Sequence, residues 1–357
     1  MSLELRVEQV REEHIEPYVH LSRAEFGKSP AVSQANHLRW KFMDNPQGPS
    51  VGIHLYKDGK LVARMVALTR LFLHRGKVFR AAHIVDFLVH PKERGMTPLF
   101  HLVSGLKKLS GFDFLLIMAP NPAGAAVWEK FVKMQGYFDL DVAVSPHRPM
   151  ALLHSAGKIR RMALAPLVDL PWKFFAGAAC WLAELPSDVQ VDQQWPEASE
   201  LDNMLSYDWG DRVVGLRTAE YLEWRYRRSP VFHYNAIFLR RKGELCGYLM
   251  SRRTAYDGID CFFVVDAFGL PTISPGSWRF ASRKQLALLQ APGPEMSIIL
   301  GNTEWGSLAA MSRLPFMKVP PRFLPRKTTV YADWVSQPRF EIRKDNFYVA
   351  LGDGDVI

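Results

Sequence analysis

Hydrophobic positions along this chain follow two periods. GIHLYKDGKLVARMVAL (52–68) reads as a strand, a Lys-Asp-Gly turn and a second strand. LFLHRGKVFR (71–80) and AAHIVDFLVH (81–90) are strand-like as well, and FDFLLIMA (112–119) is a short apolar strand. Between them, Leu99, Leu102, Val103, Leu106 and Leu109 recur at helical spacing around HLVSGLKKL, and AGAAVWEKFVKM (123–134) reads as a second helix. A helix after each of two central strands predicts a mixed α/β unit.

The pattern occurs twice. HLRWKFMDNP (37–46) matches YLEWRYRRSP (221–230), so that Leu38, Trp40, Lys41, Phe42 and Pro46 fall on Leu222, Trp224, Arg225, Tyr226 and Pro230. Gly59 and Leu61 fall on Gly243 and Leu245 at the same separation. VDFLVHP (85–91) then falls on VDAFGLP (265–271), and Asn121 on Asn302. Four matches in preserved order predict two copies of one α/β domain. The expected division is 1–150 and 191–357, joined by a connector at 151–190. Trp40 and Trp224 have basic and aromatic neighbours that would suit base stacking; their recurrence points instead to a structural anchor.

Composition sharpens this picture in two places. With 48% hydrophobic and 23% charged residues over 357 positions, the chain has ample material for packed cores. Three cysteines, Cys180, Cys246 and Cys261, read as reduced intracellular thiols without metal-ligand spacing. A charged N-terminus is unlike a secretory signal, and no apolar run is long enough to span a bilayer. The net charge of +9 is concentrated early: residues 1–150 carry 20 Lys/Arg against 14 Asp/Glu. That placement favours a phosphate-bearing cofactor over a nucleic-acid partner.

The candidate chemistry lies at 84–97. IVDFLVHPKERGMTPLF is a strand, a basic glycine turn and a helix start. A helix N-terminus presents unpaired N–H groups to an anion; Gly95 permits close approach, and Lys92 and Arg94 add charge. Thr97 and Pro98 are read as N-cap and first helical residue.

At these residues the sequence resembles the GNAT acyltransferase superfamily, in the tandem form found in bacteria. The family's pyrophosphate-binding turn is matched by Lys92-Glu93-Arg94-Gly95-Met96-Thr97 after His90-Pro91, and its later segment by Asn121, Trp128 and Gly136-Tyr137. The resemblance covers about residues 1–145, and 195–335 more weakly. It implies that acetyl-CoA or a longer acyl-CoA is held by Lys92, Arg94, Gly95, Met96, Thr97 and Asn121, with the pantetheine arm along Leu88 and Val89. It also implies transfer of the acyl group to an amine without a metal, aided by a strand N–H near Leu88. Asp86 and His90 are the candidate bases. Trp128 stands where many members carry an acidic Tyr, so the proton donor is either Tyr137 or solvent. Thr97 and Pro98 depart from the family's turn, and the second copy, with Pro271 and Pro275 and no cation before Gly276, is expected to be degenerate and to wall the acceptor cleft.

An envelope or exopolysaccharide amino sugar and a long-chain lipid amine are the expected acceptor classes. A non-catalytic accessory protein of the same fold and an aminoacyl-tRNA-dependent transferase are the alternatives. The connector places Lys158, Arg160 and Arg161 before Trp172, Phe174, Phe175 and Trp181, with Asp169, Lys173 and Gly177 as a polar stripe. Such a helix (158–183) is either buried or suited to a membrane interface, so the chain is expected in the cytoplasm, with the inner membrane face as the alternative.

Overall fold

The computed structural model describes residues 2–28, 30–155, 169, 188–256, 258–287, 293–311, 316–324, 328–337 and 339–354. Apart from Asp169, whose carboxylate accepts the Met150 N–H at 2.8 Å, the amphipathic 158–183 segment lies outside these residues.

Along the chain the first elements are β1 (Leu3–Gln9), α1 (Glu12–Phe26), α2 (Ala35–Phe42), β2 (Val51–Lys57), β3 (Lys60–His74) and β4 (Lys77–Val89). They are followed by α3 (Met96–Leu106), β5 (Phe114–Met118), α4 (Pro122–Ala126), β6 (Gln135–Asp139), β7 (Asp141–Pro146) and α5 (Pro149–Ser155). Next come β8 (Gln190–Asp192), α6 (Ala198–Leu205), β9 (Val213–Gly215), α7 (Ala219–Leu222), β10 (Asn235–Arg241) and β11 (Glu244–Tyr256). The last are β12 (Ile259–Gly269), α8 (Pro275–Ala287), β13 (Met296–Gly301), α9 (Gly306–Met311), β14 (Met317–Lys318) and β15 (Thr329–Trp334).

Three hairpins use the same two-residue turn. Asp58-Gly59, Arg75-Gly76 and Lys242-Gly243 all have positive φ at both positions, the type I′ geometry that matches strand twist.

The chain forms two compact units, each discontinuous in sequence. The first comprises residues 1–138, 208–232 and 326–343, and the second residues 139–207, 233–325 and 344–357. The first unit's sheet has the order β1-β2-β3-β4-β5-β15-β6, with β9 on β3. The second unit's, read from β8, is β8-β10-β11-β12-β13-β7-β14. The plans are the same, but the sixth position is exchanged: β15 from the end of the chain fills it in the first sheet, and β7 fills it in the second. The division at 150 and 190 follows the repeat along the chain, whereas the contact units follow this exchange.

In the first unit both sheet faces are covered, which is why β3 is almost continuously buried. Ala63, Met65 and Ala67 pack with Ile53, Leu102, Leu106, Leu115, Trp128 and Tyr331 on one face. Val66 and Leu68 pack with Ile15, Tyr18, Val19, Leu38 and Phe42 on the other. Trp40 and Trp224, both buried in this unit, stack at 5.2 Å. Each indole N–H donates to the other's main-chain carbonyl, at 2.7 and 2.8 Å. The recurring tryptophan is thus an anchor, and its donor is satisfied inside the protein.

Among the described residues no helix is long and apolar enough to cross a membrane. Burial pushes the thiols of Cys246 and Cys261 up to about 11, which removes them as nucleophiles at neutral pH.

Candidate functional site

The site is built where two parallel strands part. β4 and β5 pair only at Ala81–His83 against Phe114–Leu116. Beyond His83, among the described residues, β4 keeps β3 on one side and faces a gap on the other. A β-bulge lies just past this point. Arg64 pairs with Leu88 and Val66 with Val85, so β4 carries one extra residue around Asp86 and Phe87. Asp86 takes φ +51°, a left-handed conformation in which Asp and Asn are enriched.

The register decides which amides face the gap. The His90 N–H donates to the Val62 carbonyl at 2.8 Å, which makes Leu88 and Arg64 the next hydrogen-bonded pair. Leu88 therefore turns its main chain toward β3. The amides on the open side belong to Phe87 and Val89. This corrects the expectation for Leu88 and adds Phe87, which sequence reading missed because the bulge shifts the alternation by one residue.

Asp86 is held from both sides. Its Oδ1 accepts from Lys41 Nζ at 2.7 Å, and its Oδ2 from Arg64 Nη2 at 2.6 Å. Arg64 also donates to the Tyr18 carbonyl and the Ser22 hydroxyl, and its guanidinium lies over the Tyr18 ring. All three charged groups are buried. Both carboxylate oxygens are engaged by cations. Asp86 thus anchors the bulge; a carboxylate bound this way is a poor proton acceptor.

The other sequence-selected residues scatter along the gap and away from it. His90 caps the short turn after β4, its Nδ1 accepting the Lys92 N–H at 3.2 Å. Lys92, Gly95, Met96 and Thr97 are exposed, while Arg94 is ion-paired to Glu25. The helix begins two residues earlier than expected: Gly95 is the N-cap of α3 and Pro98 its third residue. Proline is tolerated there because the first four N–H groups of a helix have no internal partner. Asn121 caps α4, accepting the Gly124 N–H at 2.7 Å. Trp128 is buried against Phe87, ring centres 6.0 Å apart, and can donate only its indole N–H. Tyr137 sits on β6, three strands from β4 because β15 intervenes, or about 14 Å at ordinary strand spacing. Burial, then the Asp333 charge, pushes its phenol up. Its position takes it out of reach of the bulge.

The second unit has the same gap, filled. β12 and β13 pair only from Cys261 to Val264, and β12 also carries a bulge close to the corresponding place, at Val265. Into the opening comes the segment 344–354, whose Phe347, Tyr348, Val349 and Ala350 are buried. Gly301 bridges Ala350, and the Asn302 N–H donates to Val349. The Ala267 N–H, counterpart of Phe87, donates to the Tyr348 hydroxyl at 3.2 Å. That hydroxyl donates to Asp266 at 2.7 Å.

Among the described residues one group has converging metal-ligand atoms: Glu8, His14 and His54. The Arg11 N–H donates to His14 Nδ1, which places that ring's proton on Nε2, the atom facing Glu8. A protonated Nε2 has no lone pair for a cation. His54 contacts Glu8 through Nδ1 and Tyr18 through Nε2, at 3.2 and 2.6 Å. The three side chains satisfy one another by hydrogen bonds.

Burial holds His54 down at about 4, His37 at about 3 and His147 at about 4. These rings stay neutral in the fold and protonate readily when unfolded. Their contribution is complete above pH 6.5 and is lost as the pH falls toward 4. Urea midpoints measured at pH 7.5, 5.5 and 4.5 are expected to fall at each step, by a few kcal/mol in total. A midpoint unchanged down to pH 4.5 would contradict this assignment.

Comparison with solved structures agrees on the fold. A conserved protein of unknown function from Enterococcus faecalis V583, named a probable N-acyltransferase, superposes with TM-score 0.57 at 12% identity, over 93% of this chain and 72% of its own. The GCN5-related N-acetyltransferase of Anabaena variabilis ATCC 29413 gives 0.56 at 10% identity, over 93% and 73%. The N-myristoyltransferase of Saccharomyces cerevisiae, solved with myristoyl-CoA, gives 0.54 at 11%, over 97% and 82%. The fold is that of the GNAT N-acyltransferases. No family model and no curated protein sequence matches the chain.

Proposed function

We propose that the first unit transfers an acyl group from a CoA thioester to an amine. The observation that carries this reading is the gap between β4 and β5, with the amides of Phe87 and Val89 facing it and the basic turn 92–97 beyond its end. In this reading Val89 bonds the pantetheine arm and the Phe87 N–H polarises the thioester carbonyl. Amides from Gly95 to Thr97, with Lys92 and Arg94, take the phosphates. The Tyr348 hydroxyl on Ala267 supports the role of Phe87, because it occupies in the second unit the place of that carbonyl oxygen. The same plug makes the first unit the donor site.

The reaction is direct attack. A neutral amine adds to the carbonyl carbon, the C–S bond breaks as the C–N bond is kept, and the amine proton ends on the thiolate. Asp86 positions the bulge through its ion pairs with Lys41 and Arg64. With Trp128 unable to act as an acid and Tyr137 distant, solvent relays the amine's proton to the thiolate. The acceptor classes remain an amino sugar or a long-chain lipid amine, met in the cytoplasm or at its membrane face.

Gly95→Asp tests the donor site. Gly95 has extended backbone and open space where a Cβ would be, so the substitution leaves the fold intact. A carboxylate at the helix start repels phosphate. Calorimetry with acetyl-CoA and longer acyl-CoAs is expected to show binding by the wild type and at least a hundredfold loss in the variant. No wild-type binding, or an unchanged affinity in Gly95→Asp, would remove the reading.

A further inference from the structure

Trp40 and Trp224 each have their indole N–H satisfied inside the first unit. Trp128 of the same unit does not: its side chain is 2% exposed, and among the described residues none accepts its N–H. Buried polar groups are nearly always paired, so a donor in this position calls for an acceptor that arrives with a ligand.

Irregular backbone on both sides holds the indole in place. Just past β5, Ala119 takes φ +45°, a left-handed conformation that alanine rarely adopts. After α4 the chain widens into a π-helical turn at Val127–Val132, an irregularity that recurs at functional sites. Lys133 closes that turn in a left-handed conformation, and the Met134 N–H donates to the Trp128 carbonyl at 3.0 Å. The adjoining Glu129 accepts from the Tyr331 hydroxyl of β15 at 2.7 Å. Strained backbone persists where its surroundings over-determine it, and it concentrates at active sites.

The indole thereby reaches across the gap. Its ring packs on Phe87 of β4, and its Nε1 edge lies at the first turn of α4, which follows β5. Gly124 has no side chain to cover that edge: a Cβ there would stand 3.9 Å from Nε1 and 3.3 Å from Asn121 Oδ1.

We infer that the Trp128 N–H binds the sulfur of the thioester and holds it as the departing thiolate. The inference rests on the donor reading above. With the carbonyl oxygen on the Phe87 N–H and the pantetheine arm on Val89, the sulfur lies between those two residues, on the strand that Trp128 packs against. As the C–S bond breaks, its electron pair stays on sulfur. The indole donates a hydrogen bond to that growing charge and keeps its own proton; solvent then relays the amine's proton to the sulfur. A donor fixed in a buried site needs no reorganisation at the moment of reaction. Trp128 is thus a catalytic residue without being an acid.

The test uses the full chain and CoA itself, so it requires no acceptor. Trp128→Phe removes the N–H. Benzothienylalanine at position 128 also removes it but keeps the shape of the indole, which guards against a packing defect. Both replacements leave the charges of Asp86, Lys41, Arg64, His90 and Glu129 in place. The thiol of bound CoA is titrated by the ultraviolet absorbance of its thiolate, and CoA affinity is measured by calorimetry below and above that titration. In both replacements the bound thiol is expected to titrate about one pKa unit higher than in the wild type. CoA affinity with the thiol protonated is expected to stay within twofold, and affinity for the thiolate to fall about tenfold. Equal titration in the wild type and the benzothienylalanine protein overturns the inference and leaves the donor reading standing. Affinity lost equally below and above the titration would assign Trp128 to packing alone and overturn it as well. No CoA binding by the wild type overturns both.

Discussion

Residues 1–150 expressed alone are expected not to fold. The missing piece is β15, which lies along the full length of β5: Val330 to Trp334 oppose Met118 to Phe114. Tyr331 belongs to the core cluster of the first unit, and Trp334 packs on Phe79 and Phe114. The Asp113 carbonyl accepts from Val335 and Ser336, and its carboxylate accepts from the Ser336 hydroxyl. Removing these groups uncovers an apolar strand edge and two aromatic contacts, a loss of several kcal/mol. Domain stabilities are only about 5–15 kcal/mol. The fragment also lacks 208–232, and with it Trp224 for Trp40 and Tyr221 for the buried Arg70. Urea denaturation followed by near-ultraviolet circular dichroism should show one or more cooperative transitions in the full chain and none in the fragment. A cooperative transition in 1–150 would mean that the first copy is complete without its exchanged strand.

Asp86→Ala should be among the most damaging point substitutions in the first unit. It leaves Lys41 and Arg64 buried with their common carboxylate gone, a situation that costs about 3–5 kcal/mol. Alanine also tolerates φ +51° less well than aspartate does. Asp86→Asn keeps the backbone preference and one acceptor oxygen but directs an N–H₂ group at one of the cations, so an intermediate loss is expected. This pair separates the anchoring role from a catalytic one. A general base replaced by asparagine would lose turnover with little loss of stability; an anchor loses stability first. An Asp86→Asn midpoint within about 0.5 kcal/mol of the wild type would defeat the anchoring account.

Several features of the site were legible because they are local. The gap's strand, the glycine turn and the start of α3 follow from periodicity and from turn chemistry within a few residues. Asn121 as a cap and Trp40 as an anchor could be anticipated in the same way. Asp86 stood out as a charged residue in an apolar strand, but its function depends on groups 45 and 22 positions away. The role of Phe87 escaped because one extra residue in a strand reverses which amides face outward, and no composition rule marks a bulge. Tyr137 was a reasonable proton donor in a sheet whose β6 follows β5 directly, and β15 takes it out of reach.

What the sequence by itself determined is the repeated unit: which stretches are strands and helices, where the type I′ turns fall, and where a phosphate turn could lie. Those properties come from short-range sterics and from hydrophobic period, which neighbouring residues settle among themselves. Only the tertiary structure decided which copy completes which sheet and which gap stays open. Both outcomes depend on pairings across more than 80 residues: β15 with β5 in the first sheet, and Tyr348 with Ala267 in the second gap. The two gaps are built alike, and they differ because one receives a buried tyrosine that satisfies its amide while the other leaves the Phe87 and Val89 amides turned outward.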